Sequence, residues 1–151
     1  MRVAILSIGM SMLLIGCGHE VNEATGVNPD VRSQQVEAVV SMQGFDAHRA
    51  STLLAENQNL IVLDVRTPKE YNEGHIDGAI NIDFKADDFK AKLSGLDRNT
   101  PYLVHCRSGR RSTLSLAILE ELGFSRITHL DGGLKGWTAA GLAVTDPCLT
   151  C

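Results

Sequence analysis

The sequence predicts an α/β fold in which a parallel sheet carries helices on both faces. Three observations predict it. Short apolar runs rich in β-branched residues recur along the chain, the pattern of strands buried on both sides. Segments with apolar residues at helical spacing lie between them, and such alternation reads as successive βαβ units. The 151 residues, 44% hydrophobic and 21% charged, suit one globular domain with a core of its own and not a disordered chain.

The elements follow in order. Residues 46–57 place Ala50, Leu53 and Leu54 at helical spacing behind Asp46, a residue type that caps helix N-termini. Leu60, Ile61, Val62, Leu63, Asp64 and Val65 form a strand. A second strand, 79–82, comes after the turn residues Asp77 and Gly78. Residues 87–93 predict a short helix with Phe89 and Leu93 on one face and Gly95 as its stop. Residues 101–105 read as a central strand. The strongest helix is 110–122: Leu114, Ala117, Ile118, Glu121 and Leu122 fall at i, i+3, i+4, i+7 and i+8, all apolar but Glu121, and Gly123 ends it. Residues 126–130 are a last strand, and 134–140 a short helix stopped by Gly141. There is no internal repeat.

Charge and composition exclude several functions. Lys plus Arg number 14 against 18 Asp plus Glu, a formal net charge of -4, the wrong sign for a nucleic-acid binder. Neither GxxxxGK[ST] nor GxGxxG occurs, so the common nucleotide cradles are missing. Aromatics at 5% are too sparse for a base-stacking platform.

The N-terminus reads separately. Met1 and Arg2 precede an apolar run over 3–15, too short to span a bilayer, which takes about 20 residues, and matching a signal-peptide core. Leu14-Ile15-Gly16-Cys17 resembles the lipobox of bacterial lipoprotein signal peptides. That resemblance implies a signal peptide over 1–16, lipidation of Cys17 and a membrane-anchored protein of the cell envelope. Gly18 after the cysteine favours an outer membrane, facing the periplasm. An ordinary secretory signal with an incidental cysteine is the alternative. Residues 17–36, with Gly18, Asn22, Gly26, Asn28 and Pro29, have the composition of a flexible tether.

The chemistry concentrates at Cys106. It stands where the 101–105 strand ends and before the 110–122 helix begins, and in open α/β sheets ligands bind beyond the carboxyl ends of the strands. Gly109 allows unusual backbone angles, so loop N–H groups and those opening the helix can converge on one point. Such an array holds an anion and lowers a thiol pKa. Arg107, Arg110 and Arg111 reverse the chain's sign locally. The pattern is that of a cysteine nucleophile acting on a small oxyanion. The plainer alternative is a buried, inert cysteine followed by solvated arginines.

Three ordered segments besides this loop resemble the rhodanese family. Cys106-Arg107-Ser108-Gly109-Arg110-Arg111-Ser112 is similar to its six-residue active-site loop, 106–111, with the residue that follows. Leu63-Asp64-Val65-Arg66 with Glu70 and Tyr71, the segment 73–81 around Gly74-His75-Ile76, and Leu130-Asp131-Gly132-Gly133 with Trp137 are similar to the family's other motifs. The resemblance implies a five-stranded parallel sheet over a domain at 37–145 and sulfurtransferase chemistry. Cys106 would take sulfane sulfur from thiosulfate or a related small-molecule donor as a persulfide and pass it to cyanide or a thiol. The N–H groups of Arg107, Ser108, Gly109, Arg110, Arg111 and Ser112 and the arginine side chains would bind substrate. No metal or organic cofactor is implied, and no nucleic acid.

Other matched residues read as structural. Arg66 and Glu70, four apart, predict a salt bridge shaping the turn after the strand. Asp64 is expected to hydrogen-bond backbone near the active-site loop. His75 is expected to order a loop, His105 to point away from Cys106, and Trp137 to fill core. His19, His48 and His129 show no metal-ligand spacing. Two rival functions remain. A phosphatase or arsenate reductase of related fold needs Cys-x5-Arg, but Ser112 stands where that arginine would fall. A non-catalytic sulfur-carrier or interaction module would typically lack the cysteine. The tail 146–151 holds Cys148 and Cys151, a CxxC, either a redox or sulfur-relay pair or a passive disulfide.

Overall fold

The computed structural model describes residues 44–145. The apolar runs form strands and the periodic segments helices, in the order β1 (Gly44–Phe45), α1 (Ala47–Glu56), β2 (Ile61–Asp64), α2 (Pro68–Asn72), β3 (Ile80–Asn81), α3 (Phe89–Ser94), β4 (Tyr102–His105), α4 (Arg110–Glu121), β5 (Ile127–Leu130) and α5 (Gly133–Ala139). The five strands make one sheet in the order β1-β5-β4-β2-β3. Every pairing is parallel. β4 is central and buried at all four positions, which is why its sequence is a continuous apolar run until His105.

Side chains alternate across the sheet and build two cores. Leu63, Val65, Tyr102, Val104 and Ile127 pack on one face with Phe89, Leu93 and Leu119 of α3 and α4. Val62, Leu103 and Leu130 pack on the other with Ala47, Ala50 and Trp137 of α1 and α5. Leu63, Leu93, Leu103, Leu119 and Leu130 are fully buried, and each such burial is worth about 1.5–3 kcal/mol. The expected helices on both faces are present, and Trp137 lies in the core with its indole N–H donating to the Ala143 carbonyl at 2.8 Å.

Local chemistry sets the boundaries. Asp46 caps α1 by accepting from the Arg49 N–H at 2.9 Å. α2 opens with Pro68 after Thr67, and Thr67 and Glu70 close a capping box.

Three features depart from the sequence expectation. β1 was not expected; it is two residues long and earns its place by pairing with β5 at the sheet edge. α2 was expected as a turn. The inner face of α4 is rotated from the predicted one: Ser112, Ser115 and Leu119 are buried, whereas Leu114 is 53% exposed. Two inward serines replace apolar residues on that stripe, so hydrophobic periodicity pointed to the wrong side.

Candidate active site

Cys106 follows β4 at the carboxyl end of the sheet. The chain turns through Gly109, at φ 97°, into α4; only glycine takes this left-handed conformation without strain. The turn aims the Gly109 N–H at Cys106 Sγ, 3.2 Å away. The Ser112 hydroxyl lies 3.5 Å from the same sulfur. Below the loop, the opening of α5 holds it in place. The Leu134 N–H donates to the Cys106 carbonyl at 2.8 Å and the Lys135 N–H to the Arg107 carbonyl at 2.9 Å. This approach requires Gly133: a Cβ there would lie 2.4 Å from the Cys106 oxygen and 2.8 Å from the Arg107 carbonyl carbon.

Cys106 is 1% exposed, yet it is not walled off. It lines a pocket of about 440 Å³ together with Arg107, Ser108, Arg110 and Arg111 of the loop and Thr67, Glu70 and Lys85. Burial, the largest influence on the thiol, pushes its pKa up. The Ser112 N–H and hydroxyl and the N–H groups of Ser108 and Arg111 together outweigh burial, and the thiol is held below its ordinary value. Four cations against one carboxylate surround the pocket. The arrangement can therefore generate a thiolate and draw a small anion to it.

The predicted loop residues come together here, with one refinement. Arg111 is held at two points, Nη1 and Nη2 each 2.7 Å from a Glu70 oxygen. Hydrogen bonding from Arg111 lowers the Glu70 pKa to about 2; burial opposes this, and the Thr67 N–H and hydroxyl assist it. The capping-box glutamate of α2 thus fixes an arginine of the Cys106 loop, a fork-to-fork pair with defined geometry.

The expected Arg66–Glu70 salt bridge is absent. Arg66 instead pairs with Asp64, its Nη2 2.6 Å and its Nε 2.8 Å from Oδ2, and reaches the Glu70 and Gly74 carbonyls at 2.8 and 2.7 Å. Arg66 precedes α2, so the i,i+4 geometry that would face it to Glu70 does not exist there. Asp64, expected to reach backbone near the catalytic loop, accepts from the N–H of Arg66 at 2.9 Å.

The histidines separate by role. His75 stacks on Tyr71, with ring centroids 3.9 Å apart, and its backbone bridges to Thr145, so it orders a loop. His105 is fully buried, and burial holds its pKa below the ordinary value. By strand alternation it faces away from Cys106. His129, read from the sequence as scattered, lies 2.8 Å from Ser112 Oγ. Lys85, Thr67, Glu70 and His129 are site residues the sequence reading missed. Strand parity offered a signal for His129, which follows Ile127 by two residues and so shares its face. Cys17, Cys148 and Cys151 lie outside the described residues, as do the segments expected to be a signal peptide, a tether and a CxxC tail.

A parallel five-stranded sheet with a cysteine in an amide-lined loop at its carboxyl end defines a class of proteins. Residues 46–140 match the Rhodanese-like domain, and the chain belongs to the rhodanese family. It is 29% identical over 103 residues to a sulfurtransferase of Allochromatium vinosum, covering 68% of this chain and 94% of that protein. It is 37% identical over 73 residues to thiosulfate sulfurtransferase PspE of Escherichia coli, covering 48% and 69%. The crystal structure of a rhodanese-related protein from Thermoplasma volcanium superposes with a TM-score of 0.61 at 30% identity, over 68% of this chain and 97% of that one.

Proposed function

We propose that the protein is a sulfurtransferase that moves sulfane sulfur from thiosulfate, or a related donor, to a thiophilic acceptor through a persulfide on Cys106. The observation that carries this is the loop itself: the Gly109 N–H and the Ser112 hydroxyl meet on Cys106 Sγ, and Cys106 lines a cationic pocket. The thiolate attacks the sulfane sulfur, a sulfur–sulfur bond forms, and the donor's own sulfur–sulfur bond breaks with its electron pair leaving on sulfite. The outer sulfur of the resulting persulfide is anionic, and preorganised N–H dipoles stabilise it at no reorganisation cost. Arg107 and Arg110, exposed at the mouth, attract the donor and release the sulfite. Arg111, clamped by Glu70, contributes fixed positive charge. Cyanide or a thiolate then attacks the outer sulfur and restores the Cys106 thiolate. The names of the relatives from Allochromatium and Escherichia support this reading by family.

The test is intact mass after exposure to thiosulfate. Wild type gains one sulfur atom, cyanide removes it with release of thiocyanate, and Cys106→Ala does neither. Phosphate-ester turnover without persulfide formation would overturn the proposal.

Two further parts of the reading rest on sequence alone. Lipidation of Cys17 anchors the domain in the cell envelope; palmitate labelling of wild type but not of Cys17→Ala tests it. Cys148 and Cys151 act as a thiol pair taking sulfur from Cys106; unchanged turnover with thiol acceptors in the double Ser variant would discard that role.

A further inference from the structure

Beside Cys106, among residues that do not line the pocket, runs a chain of polar contacts that the transfer steps above leave unused. Ser112, fully buried in the first turn of α4, has one hydroxyl proton and three acceptors within reach. These are the Gly109 carbonyl at 2.8 Å, His129 Nε2 at 2.8 Å and Cys106 Sγ at 3.5 Å. His129, on β5 and 7% exposed, places Nδ1 3.0 Å from Asp131 Oδ1. A carboxylate only accepts, so Nδ1 carries the proton and Nε2 is left to accept from, or once protonated to donate to, the serine. The Asp131 side chain is 60% exposed, so the outer end of the chain meets water.

Asp131 is built into this position. Its N–H donates to the Phe45 carbonyl at 2.8 Å. Gly44, the register partner of His129, leaves the space its carboxylate occupies, since a Cβ on Gly44 would fall 2.2 Å from Oδ2 and 2.5 Å from Oδ1. The short strand β1 therefore does more than extend the sheet. It makes room for the group that orients the histidine.

We propose that Asp131, His129 and Ser112 form a proton relay that carries the thiol proton of Cys106 inward to the imidazole and returns it. In the charging direction the Sγ proton passes to Ser112 Oγ as the Oγ proton passes to His129 Nε2, leaving a thiolate and an imidazolium beside the Asp131 carboxylate. In the reverse direction the same two protons move back onto serine and sulfur. No electrons are gained or lost. Ser112 touches the reacting sulfur and is a catalytic residue, whereas His129 and Asp131 are positioning residues acting through it. The relay deepens the sulfurtransferase reading and rests on it only for its use in turnover. The other ionisable groups around this site are Arg111 of α4 with its partner Glu70 of α2, and Lys85, Arg107 and Arg110 at the pocket wall; His105 of β4 lies on the opposite face.

The experiment is iodoacetamide alkylation of Cys106 as a function of pH in the full chain, read by mass of the Cys106 peptide. It needs no sulfur donor. Wild type is compared with Ser112→Ala, His129→Gln and Asp131→Asn, with melting temperature measured alongside. The expected result is an upward shift of the alkylation midpoint by about one pH unit in Ser112→Ala and His129→Gln, hence about tenfold slower alkylation below the midpoint. Asp131→Asn shifts it less, and Ser112→Thr, which keeps the hydroxyl, restores most of the rate. Should the buried variants fail to fold, Asp131→Asn decides alone, because its exposed side chain can be changed without disturbing the core. A profile in Asp131→Asn and His129→Gln that superposes on wild type overturns the relay. Absence of a thiosulfate-derived persulfide, with the alkylation shifts intact, instead overturns the sulfurtransferase reading and leaves the relay standing.

Discussion

Replacing Gly133 by Ala tests whether α5 holds the Cys106 loop. Gly133 has φ 56°, and an alanine in that left-handed conformation costs roughly 1–2 kcal/mol. The new Cβ would also lie 2.4 Å from the Cys106 oxygen, 2.8 Å from the Arg107 carbonyl carbon and 2.9 Å from the Ser108 nitrogen. All three are backbone atoms, so a side-chain rotation cannot relieve the contact and the loop must move. Movement loosens the bonds from the Leu134 and Lys135 N–H groups, each worth about 0.5–1.5 kcal/mol net. The variant should therefore lose about 1–3 kcal/mol beyond the backbone strain. Gly141→Ala is the control, since φ is 75° and nothing lies within 4 Å of its Cβ. Thermal melting should fall by about 4–8 °C per kcal/mol in a domain of this size. Cys106 persulfide formation from thiosulfate should collapse in Gly133→Ala and persist in Gly141→Ala. Equal melting temperatures in the two variants, with equal persulfide yields, would refute the reasoning.

Three further outcomes are expected. The Glu70 carboxyl is held at about 2, below its ordinary 4.5, so its contribution to stability is complete above about pH 4.5 and lost as pH falls through about 2; Glu70→Gln should flatten that part of the acid-melting curve, and an unchanged curve would contradict it. Arg66→Leu leaves the buried Asp64 carboxylate without its charge partner, and urea denaturation should register a loss of about 3–5 kcal/mol. Glu121→Gln breaks only the exposed pair with Lys90, and the same measurement should move by no more than about 1 kcal/mol.

The parallel α/β architecture was legible because buried strands such as Leu103-Val104 are continuous apolar runs and because turn and stop residues such as Gly123 punctuate them. β1 was not, since a two-residue strand has no periodicity and exists through its pairing with β5. The start of α2 carried a readable signal in Thr67, Pro68 and Glu70, but a helix of five residues has too little hydrophobic pattern to stand out. The inward face of α4 was misread because Ser112 and Ser115 occupy positions where periodicity seeks apolar residues. At the site, the loop around Cys106 was legible since its donors are adjacent in sequence. The anchoring of Arg111 by Glu70, 41 positions apart, and the approach of His129 to Ser112, 17 apart, arise from the crossovers between strands. Charge spacing within one segment does not report such meetings.

The tie between α5 and the Cys106 loop has a consequence for the order of assembly. Cys106 leaves the ribosome well ahead of Leu134 and Lys135, whose amides finish the cradle. The backbone carbonyls of Cys106 and Arg107 therefore find their partners only once the last described helix has docked, so the loop takes its final form late in folding.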